Sequence, residues 1–159
     1  MKRFASFFLA FSIIASCALP VSADALDDIF KRAGSWENAS VVKIPRFMMS
    51  LVNMAGISDA ATDEFAGKVK SLRILNIENL DGAKADLLSR WLDQLDKEGK
   101  MSVAVKSCQD GETATIWLQS DGSTIHRIVV ASAEQHEFSI VDIKGKFKEK
   151  DIDNIVNGK

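Results

Sequence analysis

Apolar residues follow a helical period in the first two thirds of this chain and a strand period in the last third. Leu26, Ile29, Phe30 and Ala33 lie three and four apart, which predicts a short amphipathic helix over residues 24–33. The run Ser40–Ile44 (SVVKI) predicts a strand ended by Pro45. Proline suits the first turn of a helix, and Phe47, Met48, Leu51, Val52 and Ala55 continue an apolar stripe to a stop at Gly56. Ser58 or Asp59 would cap a further helix that turns Phe65 and Val69 inward. Ser71–Asn79 alternates Leu72, Ile74 and Asn76 against Arg73, Leu75 and Ile77, a strand with both faces largely buried. Residues 82–97 carry Ala85, Leu88, Trp91, Leu92 and Leu95 on one side and Lys84, Arg90, Asp93 and Lys97 on the other, the strongest helix, ended by Gly99.

From Met101 the period becomes two, and Asp110-Gly111 and Asp121-Gly122 stand between the alternating runs as hairpin turns. With each Asp-Gly at a turn centre, Val105 faces Ile116, Val103 faces Leu118, and Leu118 faces Ile125. A third turn near Glu134-Gln135 sets Val129 against Ile140, Ala131 against Phe138 and Arg127 against Asp142. One face then gathers Met101, Val103, Val105, Ile116, Leu118, Ile125, Val129, Ala131, Phe138 and Ile140 as core, with Arg127 and Asp142 as a charge pair at its end. The other carries Thr115, Trp117, His126, Ile128, Val130, Val141 and Ile143, too apolar to face water uncovered. The C-terminal Ile152, Ile155 and Val156 could cover it. The expected fold is α+β, a mainly antiparallel sheet of five or six strands with helices on at least one face.

The N-terminus follows the plan of an export signal: Lys2 and Arg3, an apolar run Phe4–Ile14, then small residues. The run is too short to cross a bilayer permanently, which takes about 20 apolar residues. Val21-Ser22-Ala23 before Asp24 reads as a cleavage site, which makes residues 1–23 a signal peptide and 24–159 one domain. Ile14-Ala15-Ser16-Cys17 reads alternatively as a lipobox with Cys17 lipidated, anchoring the protein to the outer membrane. Cleavage after Ala23 is favoured, because it fits the small-residue rule better and a tether of Ala18–Ala23 is short. Either way the expected location is the periplasm or cell envelope, and Cys108 is left without a disulfide partner.

Loss of Lys2 and Arg3 leaves 18 basic against 22 acidic side chains. No Lys/Arg run exceeds two, so nucleic acid is not an expected partner. Nothing after residue 24 is long and apolar enough for a transmembrane helix. No nucleophile elbow, phosphate loop or paired-cysteine site is present. His136 falls in a turn with Glu134 and Glu137, and His126 reads as stacked on Trp117. Cys108 has only Lys106 nearby to activate it and reads as a small half-buried residue. Cys108, Asp110 and His126 do not converge, so no metal and no cofactor are expected. Asp27, Asp28, Glu149, Asp151 and Asp153 read as helix-start charges and solvated faces.

The segments "DDIFKRAG", "PRFMMSLVNMAG", "SLRILNIEN", "CQDGETATIWLQSDGSTIHRIVVA" and "EFSIVDIKGKFKEKDIDNI" together resemble the exported bacterial proteins grouped as domain of unknown function 4252, common in Bacteroidetes. The resemblance spans about residues 25–157 and implies an envelope protein, with lipoprotein signals in some members. It implies no activity and no functional residues. The expectation is a non-enzymatic binding or sensing module acting through the second sheet face, with Trp117, His126, Ile128, Val141 and Ile143 as contact residues. Its partner would be an envelope protein or a second copy. The alternative is a carrier of a small, lipid-like ligand, held by Phe47, Met48, Met49, Leu51 and Met54.

Overall fold

A computed structural model describes residues 24–46, Met48 and 60–156. Ten elements follow in chain order: α1 (Ala25–Ala33), β1 (Ala39–Pro45), α2 (Ala60–Lys68), β2 (Val69–Ile77), α3 (Gly82–Glu98), β3 (Ser102–Gln109), β4 (Glu112–Asp121), β5 (Thr124–Ala133), β6 (Phe138–Lys148) and α4 (Glu149–Val156). The six strands form one antiparallel sheet ordered β1-β2-β6-β5-β4-β3. Helix α3 carries the chain from β2 to the far edge, and the β3–β6 meander then returns inward until β6 pairs with β2. The last strand is therefore central. The α+β architecture follows the hydrophobic patterning.

Helix α1 begins where expected. The Asp24 side chain accepts from the Leu26 amide at 3.3 Å, acids occupy the first turn and Lys31 and Arg32 the last, complementing the helix dipole. Leu26, Ile29, Phe30 and Ala33 are buried on one stripe. Gly34 follows the helix, where a side chain would meet Phe30 O at 2.3 Å and Val41 Cγ2 at 2.7 Å. Helix α3 is capped by Asp81, which accepts from the Lys84 amide at 2.8 Å, and Gly99 closes it at φ 65°. Leu88 and Leu95 join α1 in a core with Leu75, Ile77, Trp117, Val129, Ala131, Phe138 and Ile140. This is the first face. On the second, Val69, Ile125, Ile128 and Phe147 form a separate core with Phe65 of α2 and Ile152 of α4 packed on it. The Phe65 and Phe147 rings stack at 5.0 Å.

The registers depart from expectation in one instructive way. The first hairpin turns at Asp110-Gly111 and Val105 faces Ile116, as the turn chemistry requires. Beyond it, a shift between Val103 and Val105 sets Val103 against Trp117 rather than Leu118. The second hairpin turns one residue later than expected, with Asp121 paired to Thr124, and a further shift between Gln119 and Ser120 sets Trp117 against Val129. A one-residue slip moves every side chain beyond it to the other face. Trp117 therefore lies in the first-face core, whereas Val105, Ile116, Leu118 and Ile125 belong to the second face. In β6 the register is two residues from the expected one, Val129 facing Asp142 and Ala131 facing Ile140, which leaves the faces unchanged.

Candidate functional site

The second face is ordered into rows that cross all six strands. Val42, Ile74, Val141, Val130, Ile116 and Val105 are successive cross-strand partners, one per strand. Toward α2 and α4 lies a second apolar row, Ile44, Leu72, Ile143, Ile128 and Leu118, ending at Ser102. On the other side Ser40, Asn76, Ser139, Ser132, Ala114 and Ser107 form a small polar row, in which Ser139 Oγ donates to Asn76 Oδ1 at 2.8 Å. The middle row marks the border between the covered and the uncovered parts. Its four inner members are half-buried, while Val42 and Val105 at the ends are 48% and 43% exposed.

Strand β3 forms one edge of the sheet, and all eight of its residues are exposed. An edge strand offers a line of unpaired backbone donors and acceptors. Here that line adjoins Val103, 45% exposed, and Val105. Cys108 lies on the same strand, free and exposed rather than half-buried, opposite Thr113.

The expected contact residues divide. Val141 and Ile143 are half-buried on the second face. Ile128 is 5% exposed beneath α2 and α4, so it is core, and a charge placed there would unfold the domain rather than spare it. Trp117 is 2% exposed on the opposite face, where its Nε1 donates to Asp96 Oδ1 of α3 at 2.6 Å. Its burial explains why it cannot meet a partner there. His126 is the extra residue of the β5 bulge and is not stacked on Trp117. Of the suggested ligand-lining residues, Met48 is exposed, and Phe47, Met49, Leu51 and Met54 lie outside the described residues, as do Cys17 and the whole of residues 1–23.

The first face holds what sequence reasoning only half found. Asp142, 1% exposed on the central strand, accepts from Arg127 Nε at 2.7 Å and Nη2 at 3.0 Å, and from Arg73 Nε at 2.8 Å. Arg73 Nη2 is 2.6 Å from the same carboxylate, an ion-pair distance at an angle that leaves it without an aligned hydrogen bond. Arg127 also donates to the Asp24 cap, and Arg73 pairs with Asp27 at 2.7 Å while lying 4.2 Å over the Phe30 ring. Five charges thus tie the start of α1 to three strands. Burial alone would push the Asp142 carboxyl up, but the hydrogen bonds and charge of Arg127, with those of Arg73, hold it below the ordinary range. Burial likewise works against the Arg127 charge, and Asp142 and Asp24 more than restore it. Opposite charges on one face were the only signal. Arg73 was missed because its partner lies 69 residues away.

Asp151 is not a solvated acid either. It is 7% exposed and accepts from Lys68 Nζ at 2.7 Å and from the Lys148 amide at 2.8 Å, tying α4 to α2. The Lys68 hydrogen bond, then the Lys148 amide, hold its carboxyl below the usual range.

Among the described residues no three His, Cys, Asp or Glu side chains gather as a metal site, and no helix is long and apolar enough to cross a membrane. No curated protein matches the chain. A family match covers residues 35–155, from just after α1 into α4, and gives no positive sign of catalysis. The chain therefore belongs to the family described as domain of unknown function, DUF4252.

Proposed function

We propose that the protein is exported to the cell envelope and acts there as a non-enzymatic binding module, whose contact surface is the β3 edge and the apolar row behind it. The observation that carries this reading is the row from Val42 to Val105, continuous across the sheet and ending in an exposed valine on the edge strand β3. Such an edge takes an extended polypeptide segment as an added strand, with backbone hydrogen bonds for affinity and alternate side chains for selectivity. Edge β1 is less suited, since Pro45, which has no backbone N–H to offer, ends it. The occupant is a segment of another envelope protein or the β3 strand of a second copy.

Hydrogen exchange tests the reading through the β3 amides. Protection that grows with protein concentration identifies a second copy, and protection only on adding envelope extract identifies another protein. Val105→Lys should abolish either while leaving the fold intact. Fast exchange of β3 under both conditions would refute the proposal.

Export rests on the basic start, the apolar run and the small residues before Asp24. Asp24 caps α1, so cleavage after Ala23 would leave a domain beginning at its first helix cap, which supports that site over lipidation of Cys17. The mass of the mature protein distinguishes the two.

A further inference from the structure

At the end of the sheet near Arg46 a cleft of about 830 Å³ is lined by Arg46, Lys68, Lys70, Gln119, His126, Arg127, Lys144 and Lys146, together with Gly67, Val69 and Gly145. Among the described residues no acidic side chain lines it. The chain as a whole has more acids than bases, so composition does not account for this concentration. Two of the cations are already satisfied. Lys68 is held by Asp151 and Glu64, and Arg127 by Asp142 and Asp24. Arg46, Lys70, Lys144 and Lys146 are exposed and make no ion pair among the described residues.

The sheet is irregular along this cleft. The β2–β6 register shifts between Val69 and Ser71, which makes Lys70 an extra residue, and the β5 registers shift around His126. Between Ile125 and Arg127, β6 spends Gly145 and Lys146 as extra residues. Bulges re-aim side chains that strict alternation would send to opposite faces, and they gather beside binding sites. Gly145 makes the approach of β2 and β6 feasible: a side chain there would lie 2.3 Å from Lys68 O and 2.5 Å from Phe147 Cζ. The backbone is thus shaped to hold lysines from two strands around one concavity. Like charges held together repel, and cross-strand pairs of one sign are destabilising. An arrangement that costs stability without a ligand is explained by a ligand that removes the repulsion.

We propose that this cleft binds a phosphate ester, its phosphoryl group held by Lys70, Lys144 and Lys146 with Arg46 at the rim. Ammonium groups on flexible stems suit a compact, multiply charged oxyanion approached from several sides. The cleft is larger than one phosphate requires and falls within the size range of small-ligand sites, so the esterified body has room beside Gln119 and His126. The phosphoryl group could belong to a soluble ester or to an anionic lipid headgroup. The proposal is independent of the β3 edge.

The test uses the mature domain at low ionic strength, where exposed charges are least screened. Calorimetric titration with glycerol 3-phosphate probes a soluble phosphate monoester, and co-sedimentation with phosphatidylcholine vesicles containing phosphatidic acid probes a headgroup. Binding in either arm supports the site and identifies the source. The double variant Lys144→Gln/Lys146→Gln should weaken it by about tenfold or more, the scale of losing charged hydrogen bonds. It should also raise the melting temperature of the ligand-free protein, because repulsion is relieved. Lys100→Gln, exposed and outside the strands, should change neither. The proposal fails if neither probe binds, if Lys100→Gln weakens binding equally, or if a single-stranded oligonucleotide binds more tightly than both probes.

Discussion

On its first face the sheet meets α1 and α3 over a continuous core that encloses the Asp142 network, whereas on its second face a smaller core lies under α2 and α4 and grades into half-buried and exposed rows. The first face spends polar residues inside the protein and the second leaves apolar residues outside. Both depart from the simple rule of apolar inside and polar outside, for different reasons. Buried charges at the first face are paired on nearly every side, so they register α1 on the strands. Exposed valines at the second have no such internal partner among the described residues.

The largest effect should come from removing residues 24–34. They precede the family match, yet Leu26, Ile29, Phe30 and Ala33 are all buried in the main core. Burying each large side chain is worth about 1.5–3 kcal/mol, against a whole-domain stability of about 5–15 kcal/mol. A chain beginning at Ser35 should lose its cooperative urea transition; a transition of unchanged midpoint would show that α1 is an accessory.

Next in size, Asp142→Ala should cost about 3 kcal/mol in denaturant unfolding, the low end for breaking a buried pair, because Asp24 and Asp27 still hold one arginine each. The same network predicts acid sensitivity. Asp142 has its pKa lowered by folding, so its contribution is fully present above the unfolded carboxyl value of about 3.9 and is lost as pH falls through the lower folded value. Asp151 adds in the same direction. Stability should therefore fall below about pH 4, and Asp142→Ala should flatten that fall.

The smallest effect sharpens the border on the second face. Ile128→Ala should cost about 2–4 kcal/mol as a core truncation, whereas Val105→Ala should stay within about 0.5 kcal/mol. Similar losses at the two positions would mean that the outer row is structural and would remove the reason to assign it a partner.

Much of the architecture was legible because it depends on local chemistry. The Gly99 stop, the Asp110-Gly111 turn, the α1 stripe and the β2 alternation all rest on residues close in sequence. The candidate surfaces were less legible. Trp117 and Ile116 exchanged faces because a single extra residue in β5, His126, reverses side-chain parity, and no turn dipeptide reports a bulge. The charge pair of Arg127 and Asp142 could be anticipated, but not its burial or its extension to Arg73 and Asp27. The basic cleft was invisible as a run, since its lysines come from two strands some 75 residues apart, Lys70 and Lys144–Lys146.

By itself the sequence determined the period of the main elements, their stops and turns, and hence an antiparallel sheet with helices on it. Those properties are set by neighbours within a few residues. Tertiary structure alone decided which side chain faces which layer, which charges lose water, and which cations share a cleft. Bulges and strand order act over the whole sheet, and a one-residue shift far from a turn carries no local mark.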